Sequence, residues 1–244
     1  MNKLQILMPM GGLGSRFAKA GFTTPKPLIK VDGMPMFRKA LTSLDDLSVP
    51  KEFLFVIRQE HADTLKLDQL IAGALPEAKV IVIPELTRGA VETAVAAKDY
   101  LDQTQPLVVM DCDLWFSSES YNQMILKAIN KTVPSAGLLT FTSNNPRYSY
   151  AKVDGSDNVT ETAEKVVISN HAITGAYFFS TAELFINSAI ELLGQPLTDT
   201  MPEYYLSYLY NILLDHEITV KATYVDDYAS FGTPEELEEY NDGN

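Results

Sequence analysis

The chain of 244 residues carries 19 Lys+Arg against 32 Asp+Glu, a formal net charge of −13. That balance excludes nonspecific binding to nucleic acid or anionic membrane, which needs clustered Lys and Arg, and an apolar share of 46% excludes a wholly disordered chain. The one cysteine, Cys112, excludes an intramolecular disulfide framework and a Cys-built zinc site.

The N-terminal run MNKLQILMPM is short and has no small-residue cleavage site after it, so it makes a poor signal peptide. No stretch approaches the roughly 20 apolar residues of a membrane span. A soluble, cytoplasmic protein is expected. Residues 4–10 form the first predicted strand, and further short Val- and Ile-rich runs predict buried strands at 53–57, 80–83 and 107–110. Amphipathic spacing between and after them predicts helices near 36–43, 61–72, 89–100 and 118–128. Alternation of strand and helix implies parallel strands joined by right-handed crossovers. The second half differs, with strands predicted at 136–141, 150–153, 172–179 and 218–224 and helices at 182–193 and 202–214. It implies a mixed sheet with an antiparallel portion. The acidic end, 235–244, reads as a short, fraying helix.

Directly after the first strand comes Met10-Gly11-Gly12-Leu13-Gly14-Ser15-Arg16-Phe17. Glycines there let backbone N–H groups approach a phosphate closely, and Arg16 adds a fixed cationic fork. A dinucleotide fingerprint needs glycine where Phe17 stands, and a Walker A motif needs, at the sixth residue from Gly11, a glycine where Arg16 stands. Neither fits. Lys26 follows between Pro25 and Pro27, on backbone that prolines stiffen. The fourth strand ends in Asp111-Cys112-Asp113, at the strand end where parallel sheets bind ligands. Two residues apart, Asp111 and Asp113 project to one side of an extended chain. Hard carboxylate oxygens suit Mg²⁺, which takes one or two of them plus substrate phosphates.

The run GGLGSRF followed by TPKPLIKVDGMPM resembles the signature of the sugar-phosphate nucleotidyltransferases, and is especially similar to members from capsule and surface-polysaccharide gene sets. The resemblance implies a single Rossmann-like domain of the GT-A type over 1–244. Its three α/β layers would enclose a mixed, mainly parallel central sheet, with a nucleotide half near 1–120 and an acceptor half near 121–244. It implies that Met10, Gly11, Gly12, Gly14, Ser15, Arg16, Lys26, Gly89, Thr93 and Asp111 receive an NTP, with Arg16 and Lys26 on its phosphates. Gly89 and Thr93 belong to a stretch, Thr87–Ala94, similar to the family's turn over the base, with Glu92 where many members have Gly. Asp113, before Leu114-Trp115-Phe116, matches the family's metal-binding aspartate.

Later stretches resemble the acceptor pocket: Arg147 and Lys152 within 144–154, the pair Glu164-Lys165, and Thr174-Gly175, where Thr174 replaces the family's asparagine. Near the end, Ser230 stands where an aspartate often supplies the second metal ligand; Asp227 is the expected substitute, with Asp226 or Ser230 as alternatives. Thr233-Pro234-Glu235-Glu236 also reads as a plain helix start, with Thr233 capping and the glutamates complementing the dipole. The resemblance thus implies an Mg²⁺-dependent enzyme that joins an NTP and a phosphorylated small molecule and releases pyrophosphate. Two rival readings are a glycosyltransferase using Asp111-Cys112-Asp113 as an Asp-x-Asp motif, and a non-catalytic nucleotide sensor. A cytidylyltransferase acting on a non-sugar phosphate is a variant of the nucleotidyltransferase reading.

Overall fold

The computed structural model describes residues 2–129 and 135–243, so Asn244 of the predicted terminal helix lies outside the described residues. In the first half, β1 (Leu4–Met10) leads into α1 (Ser15–Lys19), the small hairpin β2 (Lys30–Val31) and β3 (Met34–Pro35), and α2 (Met36–Thr42). Then come β4 (Lys51–Arg58), α3 (Gln59–Leu65), α4 (Leu67–Ala74), β5 (Lys79–Ile83), α5 (Ala90–Val95), β6 (Leu107–Met110), β7 (Leu114–Ser117) and α6 (Glu119–Ile129). The second half supplies β8 (Ser135–Thr142), β9 (Ser149–Val153), β10 (Val159–Glu164), β11 (His171–Phe179), α7 (Ala182–Leu193), α8 (Tyr208–Asp215), β12 (Thr219–Tyr224), β13 (Asp227–Ser230) and α9 (Pro234–Gly243).

Among the described residues, both halves build one nine-stranded mixed sheet. β1 runs parallel between β4 and β6, and β5 continues parallel beyond β4. The sheet changes direction at β11, which pairs antiparallel with β6 and β8; β12 then runs parallel to β8. Alternation along β1 explains the layers. Leu7 faces one core, with α5, α7 and α8, while Ile6 and Met8 face the other, with α2, α4 and α6. A third apolar cluster joins Phe17 of α1, Ile29, Val31 and Met36 to Phe231 and Leu237 from the end of the chain. It locks α9 beside the glycine loop. Among the described residues no helix is long and apolar enough to cross a membrane.

Three predicted helices differ from those observed. The segment 61–72 is divided between α3 and α4 because Lys66 takes a left-handed conformation, φ 52°. The segment 89–100 is helical only over α5, followed by a 3₁₀ turn at Lys98–Tyr100. The segment 202–214 becomes helical only at Tyr208, because Tyr204 N–H donates to Arg88 O (3.0 Å) and Tyr204 O accepts from Val91 N–H (3.0 Å). Those backbone groups are committed to the turn before α5.

At the end of β4, buried Arg58 places Nη2 2.8 Å from Nε2 of buried His61. Burial first, and then the Arg58 charge, lower the His61 pKa below its ordinary 6.5. The unfolded chain therefore binds the proton more readily, and stability falls as pH drops through that value. His61→Gln is expected to flatten the dependence of melting temperature on pH between about 7 and about 5; thermal scans across that range check it.

Candidate active site

The glycine loop leaves β1 at the centre of the sheet and turns sharply into α1. Gly14 is left-handed, φ 60°, and its carbonyl accepts from Ala18 N–H at 3.2 Å. Gly11 lies against Thr93: a Cβ on Gly11 would stand 3.0 Å from the Thr93 methyl. Lys26 returns beneath the loop on a 3₁₀ turn, Lys26–Leu28, and its Nζ donates to Asp113 Oδ2. Burial pulls the Lys26 pKa down, but Asp113 and its neighbours outweigh that and hold it above its ordinary value. Met10, Gly12, Gly14, Lys26, Asp111 and Asp113 line an opening of about 260 Å³.

Asp111 and Asp113 have different surroundings. Asp111 N–H donates to Gly175 O at 3.0 Å, and a Cβ on Gly175 would come within 2.6 Å of Asp111 Oδ2. Gly175 also has φ 101°, so both space and backbone conformation require glycine there. Burial, and then the Asp113 charge, push the Asp111 carboxyl up to about 8. Cys112 lines the same opening, and burial pushes its thiol up to about 12, which keeps it protonated at neutral pH. The two aspartates are shared with a second cavity of about 210 Å³ on the acceptor side.

Arg16, Arg147, Glu164, Thr174, Gly175, Ser230 and Thr233 line that second cavity. Glu164 Oε2 accepts from Ser149 Oγ and from Ser207 Oγ (2.8 Å). Thr174 Oγ1 accepts from Ala176 N–H (3.3 Å), and Thr174 O accepts from Tyr228 O–H (3.3 Å). Tyr148, Tyr177, Tyr205 and Tyr228 complete the wall. Arg147 Nη2 donates to Glu236 Oε1, which also accepts from Tyr148 O–H at 2.9 Å.

The remaining expected residues do not themselves line either opening. Lys152 is exposed on β9 opposite Glu161. Lys165 Nζ donates to the Tyr205 hydroxyl oxygen at 2.6 Å and lies over its ring. Gly89 and Thr93 lie behind the glycine loop, where Thr93 Oγ1 is 2.5 Å from Thr87 Oγ1. Ser15 opens α1. Asp227 is exposed opposite Ser117, at the end of the β7–β13 pair remote from Ser230, and Asp226 accepts from Glu119 N–H at 2.8 Å. Glu236, read from the chain only as a helix-start carboxylate, lies in the cleft. Its spacing of three residues from capping Thr233 was the available signal; its N–H does donate to Thr233 Oγ1 at 3.3 Å.

The oxygens that converge beside Gly232 suit a divalent cation. A Cβ there would lie 3.1 Å from Glu236 Oε2, 3.3 Å from Asp113 Oδ2 and 3.5 Å from Ser230 Oγ. Three hard oxygens thus surround one small open space. Among the described residues no group of three or more His, Cys, Asp or Glu could hold a metal ion alone. The set fits an ion that takes its other ligands from substrate phosphates, as Mg²⁺ does.

A family model described as nucleotidyl transferase matches residues 5–210. Among solved structures, the nucleoside-diphosphate-sugar pyrophosphorylase from Vibrio cholerae RC9 is similar at TM-score 0.81 and 25% identity, over 96% of this chain and 98% of that one. The inositol-1-phosphate CTP transferase from T. maritima is similar at TM-score 0.74 and 17% identity, over 99% of this chain and 94% of that one, which shows a shared fold. No curated protein matches the chain.

Proposed function

From the premise that this chain belongs to the nucleotidyl transferase family, we propose that it joins an NTP to a phosphorylated polyol of the sugar or inositol class and releases pyrophosphate. The observation that carries this reading is the Lys26–Asp113 ion pair: both residues line the glycine-loop opening, and Asp113 also lines the acceptor cavity. A phosphate passing between the two cavities would meet both groups.

The acceptor's phosphate is anionic at neutral pH, so it can attack the α-phosphate without a general base. An acceptor oxygen bonds to the α-phosphorus as the bond from that phosphorus to the bridging oxygen breaks, and pyrophosphate carries away the electron pair. The protein's work is to align and neutralise. Glycine-loop N–H groups and Lys26 hold the triphosphate, Arg16, expected on the triphosphate but lining the acceptor cavity, holds the acceptor's phosphate with Arg147, and Glu164 accepts hydroxyl hydrogens of the polyol. Mg²⁺, when bound beside Asp113, supplies charge neutralisation on the phosphates. Cytoplasmic surface-polysaccharide synthesis, the setting that the sequence resemblance implies, is part of the same proposal.

Four NTPs tested against sugar phosphates, inositol phosphate and a non-polyol phosphate, with Mg²⁺ present, check the proposal by pyrophosphate release. Release with one NTP and a polyol phosphate is expected. NTP binding without release from any acceptor would favour the sensor, and turnover of an NDP-sugar alone would favour the glycosyltransferase.

A further inference from the structure

Ser230 lacks the carboxylate expected beside Asp113, and neither Asp226 nor Asp227 lines the cleft. We propose that Glu236 is the second protein carboxylate for the divalent cation. This rests on the nucleotidyl-transfer reading and assigns a residue to it that the sequence had placed elsewhere.

Four observations support Glu236. Its side chain is only 9% exposed, although it is a carboxylate on the first turns of the terminal helix. Both hydrogen bonds accepted by that side chain, from Arg147 and Tyr148, fall on Oε1. Its other oxygen, Oε2, faces the space beside Gly232 that Asp113 Oδ2 and Ser230 Oγ also face. Asp113 Oδ2 accepts from Lys26 and, as a carboxylate oxygen, keeps a lone pair for a cation.

The position of Glu236 is built in rather than incidental. Phe231 and Leu237 are buried with Phe17, which ties α9 to the glycine loop. Phe231 N–H donates to Asp113 O at 2.7 Å, which fixes the chain just before Gly232 against the metal-side strand end. Arg147 neutralises one edge of the carboxylate and orients the other. A buried carboxylate held in this way costs less to present to a cation than a free one, because its geometry is already set.

Mn²⁺ binding to the full chain, measured by electron paramagnetic resonance with and without inorganic pyrophosphate, tests the assignment. Glu236→Gln and Asp113→Asn are each expected to weaken Mn²⁺ binding by about tenfold or more, and Asp227→Asn to change it by less than about twofold. Gly232→Ala, which fills the cradle while retaining both carboxylates, is expected to weaken it as well. Arg147→Met, which removes the orienting partner but keeps both carboxylates, separates this role from mere anchoring of Arg147 and is expected to weaken Mn²⁺ binding by clearly less than Glu236→Gln does. Melting temperature is read on every variant; should Glu236→Gln not fold, Gly232→Ala and Glu236→Asp decide the matter.

Three results would overturn the proposal: folded Glu236→Gln binding Mn²⁺ like the parent, Arg147→Met losing as much as Glu236→Gln, or a parent that binds no Mn²⁺ even with pyrophosphate. Pyrophosphate release by the parent chain judges the nucleotidyl-transfer reading separately. A parent that turns over while Glu236→Gln keeps parental Mn²⁺ affinity defeats only the role of Glu236.

Discussion

Lys26→Met is expected to lower pyrophosphate release at least about a hundredfold, the scale for removing one preorganised charge-stabilising donor. Lys26 is held by two prolines and by Asp113, so little reorganisation is needed when a phosphate arrives. The same substitution leaves Asp113 without its lysine, beside Asp111, whose carboxyl is already pushed up to about 8 by burial and by Asp113. An uncompensated, largely buried carboxylate costs about 1–3 kcal/mol, so some loss of melting temperature should accompany the loss of turnover. The two effects can be separated. In Lys26→Met/Asp113→Asn the stranded charge is gone, and stability should recover toward that of the parent while turnover stays low. Recovery of both would mean that Lys26 acts only by balancing Asp113, and the proposed phosphate role would fall.

What could be read from the sequence was local. The Gly11–Gly14 loop, stiffened Lys26 and the Asp111-Cys112-Asp113 strand end each announce themselves within a few residues, through glycine, proline and an apolar run that stops at carboxylates. The acceptor side is less legible because its geometry is set by pairings across long separations. Glu164 gains its orientation from Ser149 and Ser207, which no spacing rule connects. Glu236 reads as a helix-start residue until the Phe17–Phe231–Leu237 cluster brings α9 into the cleft. Asp227 is attractive by proximity in sequence, but strand pairing with Ser117 carries it to the far end of β13. Lys152 and Lys165 belong to stretches that resemble the acceptor pocket; alternation along β9 leaves the first in solvent, and Tyr205 holds the second. The start of α8 is hidden from the sequence for a similar reason, since backbone bonds to the distant turn at Arg88–Val91 compete with helix formation at Tyr204.

That turn carries the largest expected effect on stability. Gly89→Ala would place a Cβ 2.5 Å from Tyr204 N and 2.6 Å from Tyr204 O. These are backbone atoms, so no side-chain rotation relieves the clash. Nor can the Tyr204 backbone shift freely: it bonds to Arg88 O and Val91 N–H on either side of Gly89, and the Tyr204 ring is buried with its hydroxyl donating to Gln195 O at 2.6 Å. Gly89 also has φ 147°, a region that side-chain-bearing residues rarely enter. Backbone strain of about 1–3 kcal/mol and overpacking of a similar size together give a loss of about 3 kcal/mol. For a chain of this length that corresponds to roughly 6–12 °C in melting temperature. Gly12→Ala is the contrast, because a Cβ at Gly12 meets nothing within 4 Å, and its stability should stay within about 0.5 kcal/mol of the parent. The strain should also reach the nucleotide side. The displaced turn carries Thr93, whose methyl backs Gly11, so any Gly89→Ala protein that folds should show a raised KM for the NTP. A Gly89→Ala variant that melts within about 2 °C of the parent would show that the Tyr204 segment yields, and that the turn does not buttress the glycine loop.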